Sequence, residues 1–383
     1  MARSLVLNLS VCVLLLVAGC SGLRLPMALH TGELDTPTFA RSALRVNALP
    51  VTVVPPLTLV WQYDISAATG PGSPLLVDSI VFAGNLRGEL YALNLHTGKR
   101  IGWVSLGSSI EGTPAIERDL AIVPLAGSHE SLVAFDVVQG TVRWRASLGD
   151  IHTSPLVMDA RVFVGNTQGT LFAVDKLTGV VLWRFELPQN AALKGIRSSP
   201  AGWLQHMVFG ADDGAVYDLD PGTGILHWRY AVDGAIQAAP SIADSTVFVG
   251  TLRGTVYAIR LADGSLLWRR DAGSSVYAPP LIHSGLCIFG TTGGMLFALD
   301  QRTGAIAWSC DIRAPINSGV LAVNNALYVG TLRKELIAID PANGTILWRE
   351  TLSGRVKTTP IAGGNRVIVA TDDRLIQVFG GSE

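Results

Sequence analysis

The stretch GTLFAVDKLTGVVLWR, residues 169–184, decides the fold because variants of it recur along the chain. A run of apolar, β-branched and aromatic residues leads into a Thr-Gly pair, and a second run that contains tryptophan follows. Such runs are typical of strands. A glycine that tolerates positive φ suits the tight turn between them. The stretch therefore predicts a β-hairpin, and its copies predict a repeat.

The tryptophan of this stretch returns at intervals of roughly 40 residues, a period typical of a four-stranded propeller blade. The copies are Trp61, Trp103, Trp144, Trp183, Trp228, Trp268, Trp308 and Trp348. Trp61 has no glycine turn before it, and the last repeat, residues 359–379, has no tryptophan after it. We infer that Leu59–Tyr63 is the missing fourth strand of the last blade. Closing the ring in this way removes exposed sheet edges.

The sequence thus predicts an all-β protein with one domain, an eight-bladed β-propeller of four-stranded antiparallel blades over residues 57–380. The last blade is expected to be closed by the N-terminal strand around Trp61. Each tryptophan is interpreted as structural, because a large flat side chain buries much area against the neighbouring blade. The alternative interpretation is an indole that stacks on a flat cofactor.

The repeats resemble the PQQ-like, or quinoprotein-type, β-propeller repeat, whose motif is Ala-x-Asp-x-x-Thr-Gly-x-x-x-Trp. Ala173, Asp175, Thr178, Gly179 and Trp183 match this motif. The resemblance implies a family that includes quinone-dependent alcohol dehydrogenases. Those enzymes hold the quinone with a stacking tryptophan, a calcium site, a catalytic aspartate and often a pair of adjacent cysteines, and this sequence has no adjacent cysteines.

Few residues are candidates for catalysis. The acidic pairs Asp212-Asp213 and Asp372-Asp373 offer oxygens for calcium, but both are expected at turns between strands, where aspartate is favoured. The seven histidines show no spacing typical of metal ligands. His152 is interpreted as a surface or loop histidine, and the alternative is that it faces the central channel. We therefore predict no enzyme activity, no cofactor and no metal.

Cysteine content and charge exclude two further classes. Cys287 and Cys310 are expected two strands apart in one blade, too far for a disulfide, so both are predicted to be free thiols. The formal net charge of −1 provides no basic surface for nucleic acid.

The N-terminus predicts export and a lipid anchor. Residues 1–19 have the pattern of a secretory signal peptide, with an apolar run too short to span a bilayer. The run ends in Val17-Ala18-Gly19-Cys20, which resembles the bacterial lipobox and implies lipidation of Cys20. Ser21 supplies no aspartate retention signal, so the resemblance implies the outer membrane, facing the periplasm. The alternative is an ordinary cleaved signal. Residues 20–56 are proline-rich and are predicted to form a flexible tether. The alternative for its end is packing on the ring, indicated by the apolar patches Leu44–Val46 and Leu57–Val60.

One connection between blades is longer than the others. It joins the third blade to the fourth and contains Leu193, Lys194, Gly195, Ile196 and Arg197. Leu193 and Ile196 look exposed and alternate with cations, and apolar anchors beside long cations suit a protein-binding patch. The alternative is a longer loop without a function.

The lipobox, the tether and the ring together resemble the BamB family of outer-membrane lipoproteins. The resemblance implies a BamA-like β-barrel assembly subunit as partner, contacted through a Leu-x-Leu-Arg-Gly stretch. Residues 191–195 align with that stretch, although Ala191 replaces a leucine, and the family's second contact, an Asp-x-Asp, is missing near Gln237. We expect a non-enzymatic scaffold, monomeric within a complex. The alternatives are a lipoprotein that binds another envelope component and a quinone-dependent dehydrogenase.

Overall fold

A computed structural model describes residues 22–188 and 193–381. The predicted signal peptide and Cys20 lie outside the described residues. The described chain forms 32 strands in eight four-stranded antiparallel sheets, so the prediction of an eight-bladed propeller is confirmed. At most of the junctions between blades, the first strand of one blade contacts the first strand of the next, so these strands form the inner side of the ring. The described residues contain no helix with the length and hydrophobicity of a bilayer span.

The first four blades take their strands in chain order. Blade one is β2 (Leu75–Val77), β3 (Ile80–Gly84), β4 (Glu89–Asn94) and β5 (Arg100–Ser105). Blade two is β6 (Ala115–Glu117), β7 (Leu120–Pro124), β8 (Leu132–Asp136) and β9 (Thr141–Ala146). Blade three is β10 (Leu156–Met158), β11 (Arg161–Gly165), β12 (Thr170–Asp175) and β13 (Val181–Glu186). Blade four is β14 (Ala201–Trp203), β15 (His206–Gly210), β16 (Ala215–Leu219) and β17 (Leu226–Ala231).

The remaining blades repeat the arrangement. Blade five is β18 (Ser241–Ala243), β19 (Thr246–Gly250), β20 (Thr255–Arg260) and β21 (Leu266–Asp271). Blade six is β22 (Leu281–His283), β23 (Leu286–Gly290), β24 (Met295–Asp300) and β25 (Ile306–Asp311). Blade seven is β26 (Leu321–Val323), β27 (Ala326–Gly330), β28 (Glu335–Ile339) and β29 (Ile346–Thr351). Blade eight is β30 (Ile361–Gly363), β31 (Arg366–Ala370), β32 (Leu375–Gly381) and β1 (Leu57–Asp64).

The ring closes through the two ends of the described chain. Strand β1 pairs antiparallel with β32, and Trp61 lies opposite Val378. The predicted role of the segment around Trp61 as the fourth strand of the last blade is therefore confirmed. Because the closing strand is hydrogen-bonded within blade eight, the ring has no open gap between its first and last blades.

The tryptophans join each blade to the next one. The indole Nε1 of Trp268 donates to the carbonyl of Gln301 at 2.9 Å, and the ring packs on Gly304 in the turn of blade six. Gly304 has φ of +69°, and a Cβ there would lie 2.7 Å from the indole. Among the described residues, the same pairing of indole and turn glycine occurs at Trp61, Trp144, Trp183, Trp228 and Trp308.

Two tryptophans depart from this pattern. Gly102 pairs with Ala92 in the place that tryptophan takes in other blades, and Trp103 is displaced by one residue, where it stacks on Tyr91 at 6.0 Å between ring centroids. A Cβ on Gly102 would lie 2.9 Å from the Cα of Leu23. Trp348 faces blade eight, which has no such turn after its third strand, and contacts the Phe379 ring edge-on.

The N-terminal segment corrects one expectation. Residues 22–56, predicted to be a flexible tether, lie against the ring, and we refer to them as the strap. Leu23, Leu25, Leu49 and Val53 are each 3% exposed or less and belong to the cores of the blades. The prediction rested on prolines and on the absence of strand rhythm. The backbone of the strap instead forms hydrogen bonds with the first strands of the blades, whose inner edges are not paired with another strand of the blade.

The strap crosses the channel. Its backbone bonds to blade one at Leu76, to blade five at Ile242 and to blade seven at Ala322. Between these points Arg45 is 1% exposed, and its guanidinium donates to the carbonyls of Pro155 and Pro200 at 3.2 and 2.9 Å. Burial lowers the pKa of Arg45 to about 9. The strap therefore forms the floor of the channel.

The tryptophan contacts predict a large and local energetic effect. Trp268→Ala removes a side chain that is 8% exposed together with its bond to Gln301. We expect a loss of about 3–5 kcal/mol in the free energy of unfolding. Trp203→Ala is the matched control, because Trp203 is 36% exposed at the end of β14, and it should change stability by less than about 1 kcal/mol. Urea unfolding followed by circular dichroism measures both, and equal losses would contradict the interpretation.

Candidate functional site

The connections between blades contain a second repeated feature, a buried aliphatic residue, in addition to the tryptophans. In the connection to blade four, the backbone N–H of Ile196 donates to the carbonyl of Asn166 at 2.9 Å, and its side chain packs on Gly165 of β11. Ile196 is 0% exposed. An isoleucine or valine takes the same place in five other connections, at Ile110, Ile236, Val276, Ile316 and Val356. Ile151, which is also 0% exposed, stands at the corresponding position before blade three.

This repeat revises the predicted partner-binding patch. The expectation that Ile196 is exposed is wrong, because Ile196 is one of the apolar plugs between blades. Gly195 is buried as well, and a Cβ there would overlap the carboxylate of Asp212. Leu193 is 60% exposed and Lys194 is also exposed, so both residues lie at the surface. Residues 189–192, including Ala191, lie outside the described residues.

The residue after each plug faces the channel. These residues form a ring of mainly polar side chains around a cavity of about 370 Å³, and the strap contributes Phe39 to its lining. The polar members of the ring are Glu111, His152, Arg197, Gln237, Tyr277, Asn317 and Lys357. His152 lines the channel, which was the alternative to the surface or loop position that the sequence favoured, and Arg197 belongs to this ring rather than to an outer patch.

His152 is held between two carboxylates. Its Nδ1 lies 2.7 Å from Glu111 Oε2, and its Nε2 lies 2.9 Å from Asp150 Oδ2. The hydrogen bond to Glu111, supported by that to Asp150, raises the pKa of His152 to about 8 against the opposing effect of burial. At neutral pH this imidazole is therefore mainly protonated and bridges two neighbouring connections.

The other cations of the ring also face aspartates. Arg197 forms an ion pair with Asp212, and Lys357 Nζ lies 3.5 Å from Asp372 Oδ2, which also accepts from Arg355 at 2.7 Å. Asp212 and Asp372 are the residues considered above as calcium ligands. Their carboxylates lie at turns between strands, as expected, and are engaged by cationic side chains.

The cavity lining differs from the quinone site that the resemblance to the dehydrogenases implies. Of the described residues that line it, none is a tryptophan or a cysteine. The repeat tryptophans lie on the outer strands, where six of them are held by the next blade. Cys287 and Cys310 lie on β23 and β25, and burial raises the pKa of both thiols.

One cluster of titratable side chains was not predicted from the sequence. His206, Asp218 and His227 come from three neighbouring strands of blade four and meet at one carboxylate. The spacing of the two histidines in the sequence does not indicate that they lie together. One position of the repeat nevertheless departs from the pattern. Asp218 stands where blades one, two, three, five, six and seven have the alanine of the Ala-x-Asp motif.

The fold and the channel lining define a PQQ-like β-propeller with a polar channel mouth. The family model described as outer membrane protein assembly factor BamB matches residues 51–190, 125–239, 212–316 and 293–381. These matches cover most of the chain, which therefore belongs to the BamB family.

Individual relatives are more distant. A BamB from Kangiella koreensis is 30% identical over 33% of this chain and 36% of its own length. Lupanine 17-hydroxylase [cytochrome c] from Pseudomonas is 29% identical over 34% of this chain and 22% of its own length. The matched region thus spans about a third or less of these curated relatives. The crystal structure of BamB from Moraxella catarrhalis shares the fold with a TM-score of 0.74 at 18% identity, covering 85% of this chain and 99% of that one.

The bridge at His152 predicts a pH dependence. Its pKa in the folded protein is raised, so its contribution to stability is present below the ordinary value of 6.5 and is lost as the pH rises through about 8. We expect Glu111→Gln to lower the pKa of His152, measured by NMR titration of the imidazole. Glu117→Gln, a distant carboxylate, is the control. An unchanged His152 pKa in Glu111→Gln would contradict the bridge.

Proposed function

We propose that this protein is a lipid-anchored, periplasm-facing scaffold that supports the assembly of β-barrel proteins into the outer membrane through contacts with a BamA-like subunit. The observation that carries the proposal is the match of the BamB family model along the whole ring. In this proposal the protein catalyses no reaction, and its rigid blades hold the connections in fixed positions.

The proposed contact is the exposed pair Leu193 and Lys194. An exposed leucine beside a long cation offers apolar area and charge at one point of a surface. The connection is anchored on both sides of this pair, because Leu187 is 3% exposed and Ile196 is 0% exposed. The pair is therefore presented from a short segment with fixed ends, which lowers the entropy lost on binding.

The contact is tested by co-purification of a BamA-like subunit from solubilised membranes. We expect Leu193→Glu combined with Lys194→Glu to reduce recovery of that subunit by roughly tenfold or more, since both the apolar and the charge complementarity are reversed. The matched control combines Leu177→Glu with Lys99→Glu on the opposite face. Leu177 is 62% exposed, close to the 60% of Leu193. Unchanged recovery in the first variant would overturn the role of this pair.

The proposed anchor is Cys20, with residues 1–19 as the signal that directs it to lipidation. We expect Cys20→Ala to move the protein from the membrane fraction to the soluble periplasmic fraction, because a single replaced residue removes the lipid. Fractionation followed by mass spectrometry of the N-terminal peptide measures this change. Cys310→Ala is the control for cysteine replacement. Continued membrane association without lipid would contradict the anchor.

A quinone-dependent oxidoreductase is the second candidate, favoured by the similarity to lupanine 17-hydroxylase. The channel lining argues against it, because the lining cations Arg197 and Lys357 already pair with aspartates and no described lining residue is a tryptophan. Pyrroloquinoline quinone with calcium and a redox dye distinguishes the candidates. Dye reduction with an alcohol would favour the oxidoreductase over the scaffold.

A further inference from the structure

A carboxylate lies buried in blade four where the repeat requires a small apolar residue. Asp218 is 0% exposed in the central strand β16 and pairs across the sheet with Trp228. Its equivalents in six other blades are alanines, including Ala173 and Ala258, and each of those pairs with its own blade's fourth strand. Because an isolated buried carboxylate is costly, this replacement requires a compensating partner.

Two imidazoles supply that partner from the neighbouring strands. The Nδ1 atom of His206 lies 2.6 Å from Asp218 Oδ2, and the Nδ1 atom of His227 lies 3.1 Å from the same oxygen. The two imidazole centroids are 5.3 Å apart and inclined at 70°. His227 lies in the β-bulge between Trp228 and Leu226, and bulges commonly redirect a side chain.

The hydrogen bonds to the imidazoles leave part of the carboxylate without a partner. Asp218 Oδ1 is buried and accepts no hydrogen bond from any residue that the structure describes. Burial raises the pKa of Asp218, while the two imidazoles act in the opposite direction. A buried anionic group with one unpartnered oxygen is the kind of site that a bound cation stabilises.

We propose that His206, Asp218 and His227 bind a divalent transition-metal ion of the zinc type at the outer part of blade four. The three ligand atoms lie within 4.8 Å of one another. Zinc bound at about 2.0–2.2 Å in tetrahedral geometry needs its ligand atoms roughly 3.4 Å apart, so only small side-chain movements are required. Two imidazoles and one carboxylate suit zinc better than the oxygen-preferring Mg²⁺ or Ca²⁺.

Access to solvent fits this assignment. The side chains of His206 and His227 are 24% and 31% exposed, while Asp218 is fully enclosed. An ion can therefore enter from the surface, and water can complete its coordination as the fourth ligand. The ion would connect β15, β16 and β17, so its role would be to hold blade four together. This proposal does not depend on the proposed assembly function.

The test is Zn²⁺ binding by isothermal titration calorimetry, with protein that carries no histidine tag. We expect one Zn²⁺ per chain, a raised thermal midpoint, and a loss of affinity of at least about tenfold in Asp218→Ala and in His227→Gln. Asp218→Ala restores the residue that six other blades carry, so the variant should fold. His283→Ala, a histidine outside the cluster, is the matched control and should bind as the parent does.

Cobalt provides an independent readout of the same site. Co²⁺ bound by two imidazoles and a carboxylate absorbs visible light, and we expect this absorption to disappear in Asp218→Ala and to be displaced by Zn²⁺ but not by Mg²⁺. The proposal is overturned if the parent protein binds no Zn²⁺ saturably. It is overturned equally if Asp218→Ala and His227→Gln bind Zn²⁺ as tightly as the parent.

Discussion

The packing of an indole on a turn glycine of the next blade is the contact on which the ring depends. The indole supplies buried area and one hydrogen bond, and the glycine supplies both a left-handed turn and the space for the ring. Each such blade therefore supplies the turn on which the tryptophan of the preceding blade packs. The outer strands hold neighbouring blades together through this contact. The exposed parts of the connections can therefore differ in length and charge without loss of the ring.

Much of the fold was predictable because its determinants are local. Strand runs, turn glycines and the tryptophan period are read directly from neighbouring residues, and the absent turn before Trp61 identified the closing strand. The strap was not predictable in this way. Its burial depends on inner-strand edges that belong to blades one, five and seven, far away in the sequence. Displacement of Trp103 by one residue also fell within the variation of the period.

The candidate sites also differ in whether local sequence or distant contacts determine them. Leu193 and Ile196 look alike in the sequence. In the fold, however, the side chain of Ile196 packs on Gly165 and is buried, whereas Leu193 is exposed. His206 and His227 lie 12 and 9 residues from Asp218 and meet only because hairpins bring their strands together. A comparison of equivalent repeat positions would have found Asp218, since a charged residue in a buried alanine position is visible without coordinates.

The strap has a consequence for how the protein reaches its final state. Asn47 donates to the carbonyl of Pro360, a bond that joins positions 313 residues apart. In the closing strand β1, which follows the strap, Gln62 accepts a hydrogen bond from Gln377 across 315 residues. Residues before the first blade and in the closing strand thus need partners from the last blade before the ring is complete. Contacts of such large sequence separation raise the contact order, so we expect the eight blades to fold slowly and as one cooperative unit.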